Sequence, residues 1–259
     1  MKLLLSLIVS VSINLWAQWG PDIRLTYDDN LSEISYNNAR CIATNGDTIH
    51  VVWSDSRGGD FFTKIYYKRS TDAGMTWGID TRLSFGVFGA RWPSIAVNGT
   101  LIHIVYNEGN GQIAYLHSSN AGLNWSPEIQ LSNNAAWPEN PSVSVSDSIL
   151  FVTWTDYRDG NREIYFKRSM DNGTTWEADT RLTNTAFNSS FASAGFSGMN
   201  VHVVWFDERD GNYEIHYRQS SNNGFSWGNE IRLTNDIALS GLPLLSVCDS
   251  SLHLVWRDD

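Results

Sequence analysis

Short runs of apolar residues with interspersed polar positions follow one another along this chain in groups of four. In the second group the runs cover residues 94–97, 101–106, 112–118 and 125–131, and Asn98-Gly99 separates the first two. Runs of this length, bounded by turn residues, predict β-strands, and Asn-Gly is a strong hairpin signal. The same order returns from about Pro141, Ala192 and Leu244, and a version of it starts near Cys41. No helical periodicity is present, so the pattern predicts an all-β chain.

In four of the groups the same turn sequence lies between the third and the fourth run. Its most regular copy reads Ser70-Thr71-Asp72-Ala73-Gly74-Met75-Thr76-Trp77, and the others occupy residues 118–125, 169–176 and 220–227. We call these four segments the motif turns. Their closing tryptophans fall 48, 51 and 51 residues apart. A repeat of about 50 residues that is built from strands is typical of a β-propeller, in which each repeat forms a four-stranded antiparallel blade.

Each motif turn carries an Asp or Asn, a Gly two places later and a closing Trp. The side-chain oxygen can accept hydrogen bonds from the following backbone, and Gly can take a positive φ without steric cost. We expect the Trp to cover the end of its blade. The residues with these structural roles are Asp72, Gly74, Trp77, Asn120, Gly122, Trp125, Asp171, Gly173, Trp176, Asn222, Gly224 and Trp227. Asn replaces Asp in two of the turns, which suits a structural residue and would weaken a catalytic carboxylate.

The pattern S-x-D-x-G-x-T-W resembles the Asp box, or bacterial neuraminidase repeat, of the sialidase superfamily and of other secreted propellers. The resemblance extends from about Trp19 to the end of the chain. It implies a β-propeller fold, and it implies that the motif turns lie on the face opposite an active site. A functional site is therefore expected in the loops of the other face, around the central channel.

Composition narrows the classes of partner. The chain has 259 residues, with 18 Lys and Arg against 28 Asp and Glu and a formal net charge of -10. Because nucleic-acid binding depends on phosphate neutralisation by basic residues, we expect no nucleic-acid partner.

Residues 1–17 combine Lys2, an apolar run and Ala17, which is typical of a secretory signal peptide. No other run approaches the ~20 apolar residues of a membrane span, so we expect a secreted propeller over residues 18–259, with no cofactor.

The two ends of the chain resemble parts of one blade. Residues 19–26 match the outer strand of the first repeat at residues 77–84, and residues 244–256 supply two further strands. In propellers, a last blade assembled from both termini closes the ring without an exposed edge. We expect about four complete blades and a split, incomplete fifth one, as in a chain truncated at its C-terminus. The N-terminal segment is then either poorly anchored, or Ile23 and Leu25 pair directly beside Val255.

Three loops that follow second strands share an Asp-x-Arg sequence. They cover residues 55–60, 156–161 and 207–212, and they contain Arg57, Arg158 and Arg209. The guanidinium groups could bind an anionic sugar, because a carboxylate accepts two hydrogen bonds from one arginine. Recurrence of the loop in several blades favours instead a structural turn that is satisfied by its own ion pairs.

The sialidase resemblance implies three arginines on a substrate carboxylate, a Tyr nucleophile paired with a Glu, and an Asp as acid/base. Such enzymes carry Tyr/Phe-Arg-Ile-Pro before the first strand of the first blade. Here Tyr36-Asn37-Asn38-Ala39-Arg40 lacks the Ile-Pro, and Arg91-Trp92-Pro93 comes one blade late. By this correspondence Arg40 is the first substrate-binding arginine and Asp60 the acid/base. The Tyr, its Glu and the other arginines would lie beyond the end of the chain or be absent.

Two tryptophans, Trp92 and Trp137, fall outside the repeat register, in predicted links between blades next to Pro93 and Pro138. An exposed indole there would stack on a sugar ring. The alternative is a wedge between neighbouring blades. The second repeat also has the shortest loop after its second strand, at residues 107–111, and that loop has no arginine. We therefore expect space beside the two indoles.

Histidines recur three places before the aromatic residue of the second strands. The aligned residues are His50, His103, Phe151, His202 and His253. Because they lie on different blades and one of them is Phe, we interpret them as packing residues and expect no metal site.

Cys41 and Cys248 lie in predicted innermost strands, where either a disulfide or two buried thiols could form.

The sequence therefore supports three hypotheses. The first is a secreted propeller that recognises a glycan or a protein partner without catalysis. The second is an exo-α-sialidase or related glycoside hydrolase that needs residues beyond this chain. The third is a structural module of a larger cell-surface protein.

Overall fold

A computed structural model describes residues 22–35, 41–57, 62–133 and 135–259. The predicted signal peptide, Arg40 and Asp60 lie outside these residues, so their expected roles stay predictions. The strands are β1 Ser32–Glu33, β2 Ile42–Asn45, β3 Thr48–Asp55, β4 Lys64–Ser70, β5 Thr81–Arg82, β6 Ala90–Asn98, β7 Leu101–Glu108, β8 Gln112–Ser118, β9 Ile129–Gln130, β10 Glu139–Ser146, β11 Ile149–Asp156, β12 Glu163–Ser169, β13 Thr180–Arg181, β14 Ser189–Ser197, β15 Asn200–Asp207, β16 Glu214–Ser220, β17 Ile231–Arg232, β18 Ser240–Cys248 and β19 Ser251–Asp258.

These strands form five antiparallel sheets, which we number as blades 1 to 5 in chain order. Blades 2, 3 and 4 each have four strands in sequence order, β6 to β9, β10 to β13 and β14 to β17. In blade 1 the innermost position is divided, because both β1 and β2 pair with β3. Blade 5 contains β18 and β19. The prediction of an all-β fold with four-stranded antiparallel blades is therefore confirmed.

The outer strand of each four-stranded blade has only two residues, as in Ile129–Gln130 of β9. This is shorter than the predicted run over residues 125–131. The motif turn still holds the preceding residues by local hydrogen bonds, for example from the Ser126 amide to the His117 carbonyl at 2.8 Å. Short outer strands leave little unpaired backbone at the rim, which limits edge-to-edge association.

All four motif turns lie on one face of the molecule. Each is tied to the hairpin turn between the first two strands of its own blade by a backbone hydrogen bond. The donor and acceptor pairs are Ala73 N to Asp47 O at 2.8 Å, Ala121 N to Thr100 O at 2.9 Å, Asn172 N to Ser148 O at 2.8 Å and Asn223 N to Met199 O at 2.8 Å. The loops after the second strands therefore lie on the opposite face.

The histidine column packs within the sheets. His50 Nδ1 lies 2.6 Å from the Tyr67 hydroxyl, and the corresponding pairs in blades 2 and 4, His103 with Tyr115 and His202 with Tyr217, are separated by 2.8 Å. In blade 3 both partners are phenylalanine, and Phe151 stacks on Phe166 with ring centroids 4.7 Å apart. Burial lowers the pKa of both His50 and His103 to about 4. His253 departs from this arrangement, because it is exposed on β19.

Each innermost strand of blades 2 to 5 contains a β-bulge near its start. The pairing of β6 with β7, for example, shifts register between Arg91 and Ser94. The first bulged residue of each strand has a positive φ: Trp92 (54°), Asn140 (53°), Phe191 (58°) and Leu242 (52°). Trp92 thus belongs to β6 and not to a link between blades, which corrects the sequence-based expectation. Bulges re-aim side chains, and here they sit on the face opposite the motif turns.

The N-terminal segment lies where the outer strand of a preceding blade would lie. Lys68 Nζ donates a hydrogen bond to the Leu25 carbonyl at 2.7 Å. The equivalent cations, Lys167 and Arg218, donate to the carbonyl of the residue just after the outer strand of the preceding blade, Leu131 at 2.6 Å and Leu182 at 2.7 Å. Residues 22–28 nevertheless form no strand. The predicted pairing of Ile23 and Leu25 beside Val255 is therefore not observed in these segments.

Both cysteines are free thiols. Cys41 is buried and its thiol contacts the Pro93 carbonyl oxygen at 3.3 Å, whereas Cys248 is exposed. Of the two alternatives, the structure has free thiols, and only Cys41 is the buried thiol that was expected. Burial raises the pKa of the Cys41 thiol to about 11.

Within the part of the chain that the structure describes, no helix is long and apolar enough to cross a membrane.

Candidate functional site

A cleft of about 590 Å³ opens between blades 2 and 3, on the face opposite the motif turns. Most of its lining comes from the start of β6, the loop after β7 and the link before β10, and Phe62 of blade 1 and Phe88 also line it. The loop after β7, residues 109–111, is short and carries no arginine. Space beside Trp92 and Trp137 is what the sequence predicted, and both residues line this cleft.

The two indoles present themselves differently. Trp137 lies in the link before β10 and is 81% exposed, whereas Trp92 is half-buried in the β6 bulge. Both have a positive φ, 49° and 54° respectively. A bulky residue with positive φ is a backbone outlier that the surrounding structure must stabilise, and such outliers cluster at functional sites. An indole with four-fifths of its surface in water is also not a wedge between blades, so the wedge interpretation is wrong for Trp137.

Arg91 is the positively charged residue at the mouth of the cleft. It is exposed and forms no ion pair with the residues that the structure describes. Glu139 lines the same cleft, and its carboxylate lies 3.5 Å from the Nε of Arg162. The charge of Glu139 is therefore partly compensated, while the guanidinium of Arg91 is available to a ligand.

Glu108 is a carboxyl group at the end of β7 that also lines the cleft. It accepts a hydrogen bond from the Asn110 amide at 2.6 Å. Burial raises its pKa, and the nearby negative charge of Glu128 acts in the same direction. A carboxyl group with this bias can hold a proton at a higher pH than an ordinary glutamate, which is the property of a general acid.

The three arginines of the Asp-x-Arg loops are engaged in ion pairs. Each guanidinium group pairs with the acid two residues before it. It also pairs with the acid that immediately precedes the outer strand of the same blade. The pairs are Arg57 with Asp55 (2.6 Å) and Asp80, Arg158 with Asp156 (2.6 Å) and Asp179 (3.0 Å), and Arg209 with Asp207 (2.6 Å) and Glu230 (2.6 Å). This geometry agrees with a structural turn and leaves these guanidinium groups little free capacity for a ligand.

The buried aspartates depend on these arginines. Asp55 is fully buried, and burial alone would raise the pKa of its carboxyl group. Hydrogen bonds from Arg57 outweigh that effect and lower the pKa to about 2. Blade 2 has Glu108 in place of the aspartate and Asn110 in place of the arginine.

The motif-turn residues lie away from the cleft and make local contacts. Asp72 Oδ1 accepts hydrogen bonds from the Ser70 hydroxyl at 2.7 Å and the Thr76 amide at 2.8 Å. Its other oxygen accepts from the Thr76 hydroxyl at 2.5 Å. Because these bonds stabilise the ionised form, they lower the pKa of Asp72 to about 2. A carboxylate fixed in this way is suited to holding a turn.

Sequence reasoning missed several residues of this face. Glu108, Glu139 and Phe191 were not candidates, although an alignment of the repeats would have marked the bulges. Arg91-Trp92-Pro93-Ser94 aligns with Glu139-Asn140-Pro141-Ser142 and with Ser190-Phe191-Ala192-Ser193. Across the described ranges, no three His, Cys, Asp or Glu residues come together in a way that could hold a metal ion.

Comparison with known proteins shows a likeness of fold. No protein-family model matches the chain, and no curated protein sequence matches it. Among solved structures, a protein of unknown function from Dyadobacter fermentans has a TM-score of 0.63 at 12% identity, over 87% of this chain and 78% of that one. An α-L-arabinanase of Penicillium chrysogenum, complexed with arabinobiose, has a TM-score of 0.57 at 12% identity, over 89% and 86%.

A mutant of Trypanosoma rangeli sialidase that displays trans-sialidase activity has a TM-score of 0.56 at 14% identity. That likeness covers 84% of this chain and 43% of the sialidase. At such identities the likeness concerns the propeller fold alone. The resemblance of the motif turns to the Asp box stays a prediction from the sequence.

Proposed function

We propose that this protein recognises a glycan through the cleft between blades 2 and 3, without catalysis. One observation carries the proposal: Arg91, Trp92 and Trp137 meet at a single cleft of about 590 Å³. The volume lies within the ~300–1,000 Å³ of ordinary small-molecule sites. A sugar ligand is bound in one solved structure of similar fold, the Penicillium chrysogenum α-L-arabinanase complexed with arabinobiose.

The two indoles supply the stacking surface. A sugar ring presents C–H groups on one face, and these pack on an aromatic plane with release of water. Trp137 is exposed in the free protein, whereas Trp92 is held by its strand and by the following Pro93. A platform that is already ordered loses little conformational freedom on binding, which favours affinity.

Arg91 directs the proposal towards an acidic sugar. Its guanidinium has no ion pair among the described residues, in contrast to Arg57, Arg158 and Arg209. A sugar carboxylate beside the indoles could accept two hydrogen bonds from it. A neutral sugar would use the stacking surface without this contribution.

The test is a binding measurement on the purified protein by isothermal titration calorimetry. The probes are digalacturonic acid, 3′-sialyllactose and arabinobiose. We expect at least one probe to bind and Trp137→Ala to weaken that binding about tenfold, which corresponds to ~1.4 kcal/mol. Arg91→Ala should weaken binding of the two acidic probes and leave that of arabinobiose unchanged.

Matched controls lie on blade 5. Trp256→Ala removes an exposed indole and Arg257→Ala an exposed arginine, and neither residue lines the cleft. Both variants should bind as the wild type does. Absence of binding for all three probes, or an equal loss in Trp137→Ala and Trp256→Ala, would contradict the proposed function.

A second candidate function is glycoside hydrolysis, and the observation that favours it is Glu108. Its carboxyl group lines the cleft with a raised pKa, and Glu139 is a second carboxylate in the same cleft. Most glycoside hydrolases use two carboxyl groups, one of which donates a proton to the leaving group. In this alternative Glu108 would replace Asp60, the acid/base expected from the sequence.

A further inference from the structure

A second cavity of about 310 Å³ adjoins the cleft, at the channel ends of blades 2, 3 and 4. Trp92 and Glu139 line both spaces, so the two are adjacent. The volume is at the lower end of the ~300–1,000 Å³ that small-molecule sites occupy. It is large enough for a further sugar unit beyond the two that the larger cleft could hold.

The second cavity is where three β-bulges converge. Its lining includes Trp92, Asn140 and Phe191, which are the first bulged residues of three successive blades. Their φ values of 54°, 53° and 58° are all positive. The Phe191 amide donates a hydrogen bond to the Thr155 hydroxyl of the preceding blade at 3.2 Å, which holds this bulge in place. Three residues with positive φ therefore line one cavity, and backbone strain of this kind is typical of binding sites, which favours a binding role for the cavity.

An aromatic wall lies on the blade 4 side of the cavity. Phe191 stacks on Phe206 with ring centroids 5.2 Å apart and an interplanar angle of 23°. Phe206 in turn contacts Tyr213, at 4.7 Å between centroids. Phe191 and Tyr213 are half-buried, so part of each ring faces the cavity. This wall offers a sugar ring a second stacking surface, separate from Trp137.

The second cavity also has polar groups that could form hydrogen bonds with the hydroxyl groups of a saccharide. Ser190 is 1% exposed, and its hydroxyl has no hydrogen-bond partner among the described residues. A buried hydroxyl without a partner is destabilising, and a ligand hydroxyl would satisfy it. Arg162 and Glu208 line the same cavity and supply a donor and an acceptor.

We propose that this second cavity is a saccharide subsite continuous with the cleft, so that the ligand is an oligosaccharide and not a single terminal sugar. The proposal rests on the proposed function and specifies its ligand class. One unit stacks on Trp137 in the cleft, the chain passes Trp92, and a further unit lies against Phe191 and Tyr213. Affinity should then increase with the number of sugar units until both spaces are filled.

The test is a length series measured by calorimetry. The probes are linear oligogalacturonides of one to five units and arabino-oligosaccharides of two to five units. The variants are Phe191→Gly and Tyr213→Ala. Glycine suits the positive φ of residue 191, so Phe191→Gly removes the ring without adding backbone strain. Leu242→Gly is the matched control, because Leu242 has the same bulge position and a φ of 52° but lines neither space.

For the series that binds, we expect a tenfold or greater rise in affinity from two units to four in the wild type and in Leu242→Gly. Phe191→Gly and Tyr213→Ala should bind two units as the wild type does and show no such rise. A flat length profile in the wild type, or a full rise in both variants, would overturn the subsite. If binding of two units still depends on Trp137 in that case, the proposed function stands; if no probe binds, both proposals fall.

Discussion

The indole ring of Trp125 packs edge-on against the phenol ring of Tyr67, with ring centroids 4.9 Å apart and planes at 75°. Trp125 closes the motif turn of blade 2, whereas Tyr67 belongs to the third strand of blade 1. The same contact joins Trp176 to Tyr115 at 5.1 Å and Trp227 to Phe166 at 5.5 Å. The closing Trp therefore joins its blade to the preceding one, in addition to covering the end of its own.

The glycine of a motif turn is required by this interface, and Gly122→Ala tests it. A methyl group on Gly122 would overlap the Tyr67 hydroxyl, and the φ of 81° disfavours any side chain. We expect a loss of about 2–4 kcal/mol in the free energy of unfolding, the sum of backbone strain and overpacking. Urea denaturation followed by circular dichroism measures it.

Gly160→Ala is the control for backbone strain alone. Its φ is 94°, and a methyl group there would meet no atom within 4 Å. The loss should be about 1 kcal/mol. Adding Tyr67→Phe to Gly122→Ala removes the overlapping hydroxyl and should recover part of the stability. Equal losses in the two glycine variants would contradict the interface role of Gly122.

Asp171 should stabilise its turn and take no part in binding. Its oxygens accept from the Ser169 hydroxyl at 2.8 Å and from the Thr175 amide and hydroxyl at 2.8 and 2.7 Å. Asp171→Ala should lower the melting temperature measured by scanning calorimetry and leave the glycan affinity of the folded protein unchanged. Asp171→Asn should lower it less, because Asn222 makes the equivalent bond to the Ser226 amide at 2.9 Å. A selective loss of affinity at undiminished stability would refute the structural role.

Replacing Arg158 should lower the stability of the protein, whereas replacing Arg91 should weaken ligand binding without a change in stability. Arg158→Ala leaves the fully buried Asp156 carboxylate without its positively charged partner and should cost about 3–5 kcal/mol in the free energy of unfolding. Arg91→Ala removes an exposed, unpaired side chain and should change stability by less than ~0.5 kcal/mol. Chemical denaturation of both variants, together with the acidic-sugar titration, measures the contrast. An Arg158→Ala protein of wild-type stability would show that its ion pairs contribute nothing.

The buried histidines should make the fold sensitive to acid. His103 protonates near pH 6.5 in the unfolded chain but only near pH 4 in the folded protein, because burial disfavours its charged form. The unfolded state therefore binds more protons between these values. The free energy of unfolding should fall as the pH drops from 6.5 to 4, by at most ~1.4 kcal/mol per pH unit for this residue.

The variant His103→Phe/Tyr115→Phe tests this by copying the Phe151 and Phe166 pair of blade 3. It should reduce the slope of stability against pH over that window, as measured by urea denaturation at several pH values. His253→Phe is the control, since that histidine is exposed on β19. An unchanged slope in the double variant would contradict the assignment.

The cleft should not hydrolyse glycosides if recognition is its function. We expect no release of 4-methylumbelliferone from its α-sialoside or its α-L-arabinofuranoside above a heat-treated control. Hydrolysis that is abolished in Glu108→Gln would establish the second candidate function instead. Hydrolysis abolished in Asp60→Asn would support the acid/base expected from the sialidase resemblance.

Local patterns determined the part of the fold that could be predicted. The Asp72 to Thr76 bonds span four residues, so the letters of the motif turn are sufficient to specify them. Tight turns and alternating runs likewise predicted the strands to within a few residues. The start of β6 was missed, because its bulge at Trp92 interrupts the alternation on which a strand prediction depends.

Contacts between distant segments were decided by the tertiary structure. Arg57 reaches Asp80, which lies 23 residues further along the chain, and Trp125 meets Tyr67 of another blade. The cleft needs side chains from the start of β6, the loop after β7 and the link before β10, and the second cavity adds residues of blade 4. The sequence determined the repeat and its turns because those interactions are local, whereas the packing of one blade on the next decided which side chains share a cavity.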